Sequence, residues 1–350
     1  MRPAPRIWTG RLAAGQIYRL QVMDVSMRIS RQPQRIESAL PEQAGRTAVK
    51  KQLGRTSTIS AATPLWIAAR QMLKIHGKEF FKRWSKVVKS YDVEEIHDLR
   101  VASRRLREAL ALFEPCFAEK SMSRLSRKVK RVTGVLGDLR NTDEAIIFFS
   151  RLSAEEQQQS ESELKELLSA LEKERAAARK QLHADLERLQ PGPLRSALKE
   201  ELAALQLFGS TRIDPLQDLS SFANSAIAAR ELPLAGLLPR ALDEADASAQ
   251  HRLRIAVKRM RYRLEILEPL FGPEFSELHA TLKGYQELLG KLHDLDVFAG
   301  MLLERLPEGA GRQGLMQAIT ARRSAQFAAF LAMLKTVPVD MIGARARRAF

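Results

Sequence analysis

The stretch EIHDLRVASRRLREALALFEP, Glu95 to Pro115, sets one histidine and four arginines on a single segment with helical periodicity. At about 100° per residue, with His97 placed at zero, Arg100, Arg104 and Arg107 fall with it inside an arc of about 80°. Leu99, Ala102, Leu106, Ala109, Leu110 and Phe113 gather opposite, within about 100°, and Arg105 lies on the flank. An apolar face and a cationic face are cleanly separated, as an amphipathic helix requires. Yet like charges three or four residues apart repel. Some partner must offset that repulsion.

The same pattern returns 154 residues later, from His97 to His251, in AQHRLRIAVKRMRYRLEILEPLF, Ala249 to Phe271. His251, Arg254, Lys258 and Arg261 share one stripe, with Arg259 matching Arg105. Leu253, Ala256, Met260, Leu264 and Leu267 share the other, with Arg263 expected to snorkel from the margin of the core. Tyr262 and Glu265 join the cationic side, where the first copy has Glu108 and Ala111. Both copies end in Glu-Pro, at Glu114-Pro115 and Glu268-Pro269. A second motif comes after each: VLGDLRNTDEA, from Val135, against LLGKLHDLDVF, from Leu288, which aligns Gly137 with Gly290, Arg140 with His293 and Asp143 with Asp296. Lys130 and Lys283 pair in the same register.

Packing alone would repeat the apolar positions, but not His-x2-Arg-x3-Arg/Lys-Arg-x-Arg. A charge run that is merely solvated need not recur by residue type, so the repeated cations read as an anion site. Arginine's planar fork suits bidentate capture of phosphate oxygens, and lysine adds a compact charge. Histidine donates from a ring nitrogen and binds more strongly once protonated beside an anion.

Around these motifs the chain reads as all-α. Ala, Leu, Glu, Arg and Lys dominate from Thr63 onward, and runs with the two-residue period of strands are missing. Thr63-Pro64 reads as an N-cap with Pro at the first helical position, opening a helix to about Ser90. Tyr91-Asp92 breaks it. Asp143 reads as a cap, and a long charged helix is expected from about Glu155 to Leu189. The repeat predicts two pseudo-symmetric helical bundles around a basic groove, over residues 59–192 and 210–345, with the seam at QPGP (Gln190–Pro193) and Gly209 to Pro215. Residues 1–58, rich in Arg, Gln, Pro and Ser, read as a mobile basic tail or as sequence upstream of a start at Met27.

Bulk properties narrow the partner. The 350 residues carry a net charge of +16 and a pI of about 10.2, which calls for a polyanion. A single cysteine, Cys116, excludes an intramolecular disulfide and a cysteine-based zinc site, and fits a reducing compartment. No run of eighteen apolar residues is present and no secretory signal opens the chain, so no membrane role is expected. Aromatic residues make up only 6%. Single-stranded nucleic-acid binders interleave aromatics with cations, so the composition favours a polyanion without bases over nucleic acid, which stands as the alternative partner.

The two duplicated motifs, "IHDLRVASRRLREALALF" and "QHRLRIAVKRMRYRLEIL", each followed by the Leu-Gly and Asp/Asn segment, resemble the two halves of a CHAD domain (conserved histidine α-helical domain), over about residues 60–340. The resemblance implies a non-enzymatic, all-helical binder of inorganic polyphosphate that needs no cofactor, in the cytoplasm of a bacterium and at polyphosphate granules. Carried over by position, the ligand stripe is His97, Arg100, Arg104, Arg105 and Arg107 with Lys130 in the first half. In the second it is His251, Arg254, Lys258, Arg259 and Arg261 with Lys283. Asn141 departs from the family's usual Asp, which Asp294 keeps; that position is expected to be structural.

Three other signals carry less. Glu161 to Lys165, ESELK, matches the Glu-x-Glu-x-Lys signature of triphosphate tunnel enzymes, but that signature belongs on a strand and this stretch reads as helix. His293, Asp294 and Asp296 invite a metal, although such carboxylates more often cap helices or hold arginines; a cation bridging phosphate to Asp143 or Asp296 is conceivable. His76, His183 and His279 read as packing or surface residues.

Overall fold

The computed structural model describes residues 59–152, 160–204, 213–214 and 216–349, without the side chains of residues 138–140. The expected tail over residues 1–58, most of the Gly209 to Pro215 seam and the side chain of Arg140 therefore lie outside the described residues. Among the described residues the architecture is all-α, with no strands and eleven α-helices. In chain order these are α1 (Leu65–Ser90), α2 (Val93–Phe113), α3 (Glu119–Val135), α4 (Asp138–Ser150), α5 (Glu161–Leu189) and α6 (Pro191–Ala203). They continue as α7 (Leu219–Ala241), α8 (Ala247–Ile266), α9 (Glu274–Arg305), α10 (Ala310–Thr336) and α11 (Ile342–Arg347).

Local chemistry sets these boundaries. Helix α1 starts one residue later than Thr63-Pro64 suggested. Thr63 and Pro64 pair with Gln217 to Leu219 instead: Leu65 donates to the Gln217 carbonyl at 2.9 Å and Leu219 to the Thr63 carbonyl at 3.0 Å. The first orphan N–H of α1 is thus satisfied by a distant strand-like segment rather than by a side-chain cap. Tyr91 ends α1 in the left-handed region, φ 49°, and its N–H bonds back to Val87. Asp92 then caps α2 by accepting from Glu94 N at 2.8 Å. Asp143, read as a cap, lies inside α4, which begins at Asp138 after Gly137. At QPGP, Gln190 turns with φ 41° and Pro191 opens α6, where its missing N–H has no intrahelical partner to lose. ESELK forms the first turns of α5. Among the described residues no single helix is long and apolar enough to cross a membrane; α10 with the 47°-bent segment Val339–Arg347 passes that test only as a pair.

Both motif helices, α2 and α8, end in a 3-10 turn at Glu-Pro, Glu114–Cys116 and Glu268–Leu270. Beyond these turns the two copies diverge. The first breaks at Leu136-Gly137 between α3 and α4, whereas the second runs through its Gly290 as the continuous 32-residue α9. The larger apolar core joins both halves, with Leu99, Leu106 and Phe113 of α2 and Leu253, Met260 and Leu264 of α8 in one cluster. A smaller cluster holds α4, the start of α5, the end of α9 and α10, around Phe149, Leu171 and Leu302.

Helices α2 and α8 pack directly on each other, and charge is buried in their contact. Arg263 does not snorkel: it is 6% exposed and donates to Glu108 from Nε at 2.9 Å and from Nη2 at 2.5 Å. Its Nη1 donates to the Ala226 carbonyl at 2.9 Å, and Arg230 of α7 closes on the same carboxylate at 2.8 Å. On the other side of the contact, Glu265 accepts from Arg105 at 2.6 Å and from His279 at 2.9 Å, with Arg261 at 3.4 Å. Burial pushes the Glu265 carboxyl up, but His279, Arg105 and Arg261 outweigh it and hold it at about 2.

These buried carboxylates yield two stability predictions. Glu108→Ala strands two guanidinium groups and is expected to cost about 3–5 kcal/mol by urea unfolding, while Glu108→Leu with Arg263→Met and Arg230→Met recovers most of it. A Glu265 carboxyl held at about 2, against 4.5 in the unfolded chain, stabilises fully above pH 4.5 and loses that contribution as pH falls toward 2. The contribution is of the order of 3 kcal/mol. Glu265→Gln should therefore flatten the acid limb of the stability curve between those values; an unchanged limb refutes this account.

Candidate functional site

A cleft of about 240 Å³ opens where α2, α4, α8 and α9 meet. Arg100 and Arg104 line it from the first motif helix, Arg254 and Lys258 from the second, and Lys291 from α9. Glu144, Glu287 and Asp294 line it too, so cations outnumber acids five to three among the described residues.

The local fold holds Arg100 and Arg254 in place. Arg100 Nη1 donates to the carbonyls of Leu136 and Gly137, at 3.2 and 3.1 Å, where α3 ends. Those carbonyls carry the negative end of the α3 dipole, a natural seat for a guanidinium. Arg254 occupies the matching place beside Gly290, but there α9 is unbroken, and its Nη2 lies 3.9 Å from Asp294 Oδ1 instead. Arg104 and Lys258 stand one helical turn further along their helices, half-buried, so all four point into one space.

Two histidines adjoin the second set. His251 Nδ1 and His293 Nδ1 are 3.0 Å apart, with ring centroids at 4.2 Å. One of these nitrogens must donate and the other accept, so at least one ring is neutral in this arrangement. Burial, then Arg254, His251 and Lys258, pushes His293 down to about 4. His251 is lowered by burial, Arg254 and Lys258, against the pull of Asp296.

The other residues named from the sequence are placed differently. Arg105 and Arg261 are engaged with Glu265, and Arg261 has only 12% of its side chain exposed. Arg107 is half-buried beside Arg104 and Arg259, and burial and those charges lower its pKa. Arg259 lines a separate cavity with Arg230 and Arg252. His97 and Lys130 are exposed and do not line the cleft. Lys283 is exposed and lies 3.7 Å from Glu287, which does line it. Asn141 and Asp294 are both wall residues. Asp296 accepts from Arg323 Nε at 2.6 Å, and Asp143 sits 3.7 Å from Arg175. Among the described residues no group of three or more His, Cys, Asp and Glu side chains is placed to hold a metal ion. His183 stacks on Tyr91 at 4.3 Å, and His76 is pushed down to about 4, by burial first and then by Arg105. Lys291 went unnoticed because its counterpart in the first copy is Asp138, so no repetition marked it.

The model of the CHAD domain matches residues 71–303. The chain belongs to the CHAD-domain family. Among solved structures it is similar to the CHAD domain from the plant Ricinus communis, with 25% identity and a TM-score of 0.54 over 83% of this chain and 94% of that one. It also shares its fold with PptA from Streptomyces chartreusis, at 15% identity and a TM-score of 0.55, over 78% of this chain and all of that one. No curated protein matches the sequence.

The cleft makes a spectroscopic prediction. In the free protein, histidine NMR should show His293 titrating near 4. In Lys258→Met it should move upward, because one of the cations that disfavours the imidazolium is gone. An unmoved value would mean that Lys258 does not act on His293.

Proposed function

We propose that this CHAD protein is a non-enzymatic binder of inorganic polyphosphate, held in the cleft by Arg100, Arg104, Arg254, Lys258 and Lys291. The convergence of both motif helices on one recessed cationic space is the observation that carries this reading. A bare phosphate chain has no bases to read and asks only for clustered donors that neutralise its charge. A recessed cleft suits a slender chain better than a duplex, whose phosphates lie on a convex surface. Binding at granules, in the cytoplasm of a bacterium, is the setting this chemistry fits.

A non-enzymatic role is part of this proposal, and the chemistry of the chain's one cysteine, away from the cleft, fits it. Cys116 is buried, its thiol pushed up to about 12, and so is no nucleophile.

Competition at physiological salt tests the assignment. Labelled long-chain polyphosphate should be displaced by unlabelled polyphosphate far better than by DNA or RNA at equal charge. Arg104→Ala with Lys258→Ala should weaken binding at least a hundredfold while helicity stays unchanged, at about 1.4 kcal/mol per decade. Equal competition by nucleic acid, with the double variant binding normally, would move the site elsewhere. Bound polyanion also offsets Arg254 and Lys258, so the His293 pKa should rise on binding. Binding then takes up protons and tightens as pH falls toward 4, an effect His293→Gln should reduce.

A further inference from the structure

Beside the cleft lies a second cavity of about 630 Å³, between α4, α9 and α10. The two spaces share wall residues: Glu144, Lys291, Asp294 and Phe298 line both. Their chemistries differ. The cleft is cationic, whereas the cavity is built around Phe148 and Phe298, stacked with centroids 4.6 Å apart and planes 26° from parallel. Phe298 is 5% exposed and belongs to the smaller apolar core. Phe148 is only half-buried, and Ile147 beside it is 45% exposed. The Arg322 guanidinium lies 6.0 Å from the Phe148 ring centroid, and Gln326 supplies an amide at the wall.

A ligand that fills both spaces must be polyanionic at one end and flat and largely apolar at the other, with polar edges that Gln326 and Asp294 can meet. Nucleoside polyphosphates have this form. We propose that cleft and cavity together bind a nucleoside tri- or tetraphosphate, its phosphates among Arg104, Arg254, Lys258 and Lys291 and its base against Phe148. The inference rests on the phosphate-binding reading of the cleft and adds a base subsite to it. One stacked pair of rings accommodates one base, which distinguishes this ligand from a nucleic-acid strand, whose successive bases need successive platforms. Lys291 and Asp294, common to both walls, sit where the ribose would join the two ends.

The test compares ATP with inorganic tripolyphosphate, anions of similar charge, by calorimetry on the full chain without divalent metal. Two variants address the cavity alone: Phe148→Ala removes the exposed ring, and Ala325→Trp fills the space from the exposed side of α10. ATP should bind about tenfold more tightly than tripolyphosphate, within the range of single base–aromatic stacking. Either variant should abolish that advantage and leave tripolyphosphate affinity unchanged; Ala325→Trp keeps the test valid if Phe148→Ala unfolds. Equal affinities of ATP and tripolyphosphate, or an advantage that survives Ala325→Trp, overturn the base subsite while the cleft assignment stands. Failure of tripolyphosphate to bind, or binding indifferent to Arg104→Ala/Lys258→Ala, overturns the cleft assignment and this inference with it.

Discussion

One buried carboxylate holds the two motif helices in register. Glu108 of α2 accepts from Arg263 of α8 and Arg230 of α7, inside a contact where all but Arg230 are nearly inaccessible. Removing charges from water is costly, and such clusters are stable only when every donor and acceptor is used. Here Arg263 also donates to the Ala226 carbonyl from Nη1, and Glu108 is served by two guanidiniums. The geometry tolerates little sliding or rotation of α2 against α8, because either would leave a buried charge unmatched. Glu265, gathered by Arg105, Arg261 and His279, fixes a second point of the same crossing.

The repeated cationic stripe therefore has two uses along its length. Its later residues, around Arg105, Arg261 and the acids that meet them, fasten the helices together. Its earlier residues, Arg100, Arg104, Arg254 and Lys258, face the cleft. The repulsion within the stripe is offset differently in each part. At the crossing the counter-charges are carboxylates from the opposite helix or its own last turn. In the cleft Arg100 donates to two helix-end carbonyls, and Arg254 has an aspartate at 3.9 Å. Formally both parts carry two more cations than acids among the residues named, but the crossing is buried between helices while the cleft opens to a ligand.

The all-α class, the repeat of residue types and the four cleft cations were legible because each is a property of periodicity. A helical wheel resolves a core face and a polar face, and it sets these cations on the latter. It cannot show that part of a polar face is covered by another polar face. Glu108 falls on the cationic side of the wheel and Arg263 on the apolar side, each an anomaly in its own copy. Set side by side, a lone acid among arginines and a lone arginine among leucines complement each other, and that complementarity is the signal by which their contact was recoverable. Lys291 and the Phe148–Phe298 stack left no such trace. Lys291 has an aspartate as its counterpart, and the two rings are 150 residues apart, so only tertiary packing brings them together. The break at Gly137 against the unbroken Gly290 was equally hidden, because the two sequences around these glycines are closely alike.

The acids in the cleft wall shape what it can select. Glu144, Glu287 and Asp294 offset part of the cleft's positive charge, so a single small anion gains less by entering, and at Arg254 it must compete with Asp294. A chain of linked phosphates meets the cations differently. Once one phosphate is engaged, the next is held at high effective concentration beside the following cation, and the entropy of association is lost once for several contacts. Repulsion from the carboxylates grows with the charge of the anion, but so does its attraction to the more numerous cations, and linkage favours only anions with several phosphates in a row. The wall acids raise the threshold, and the multivalent ligand is the one that clears it.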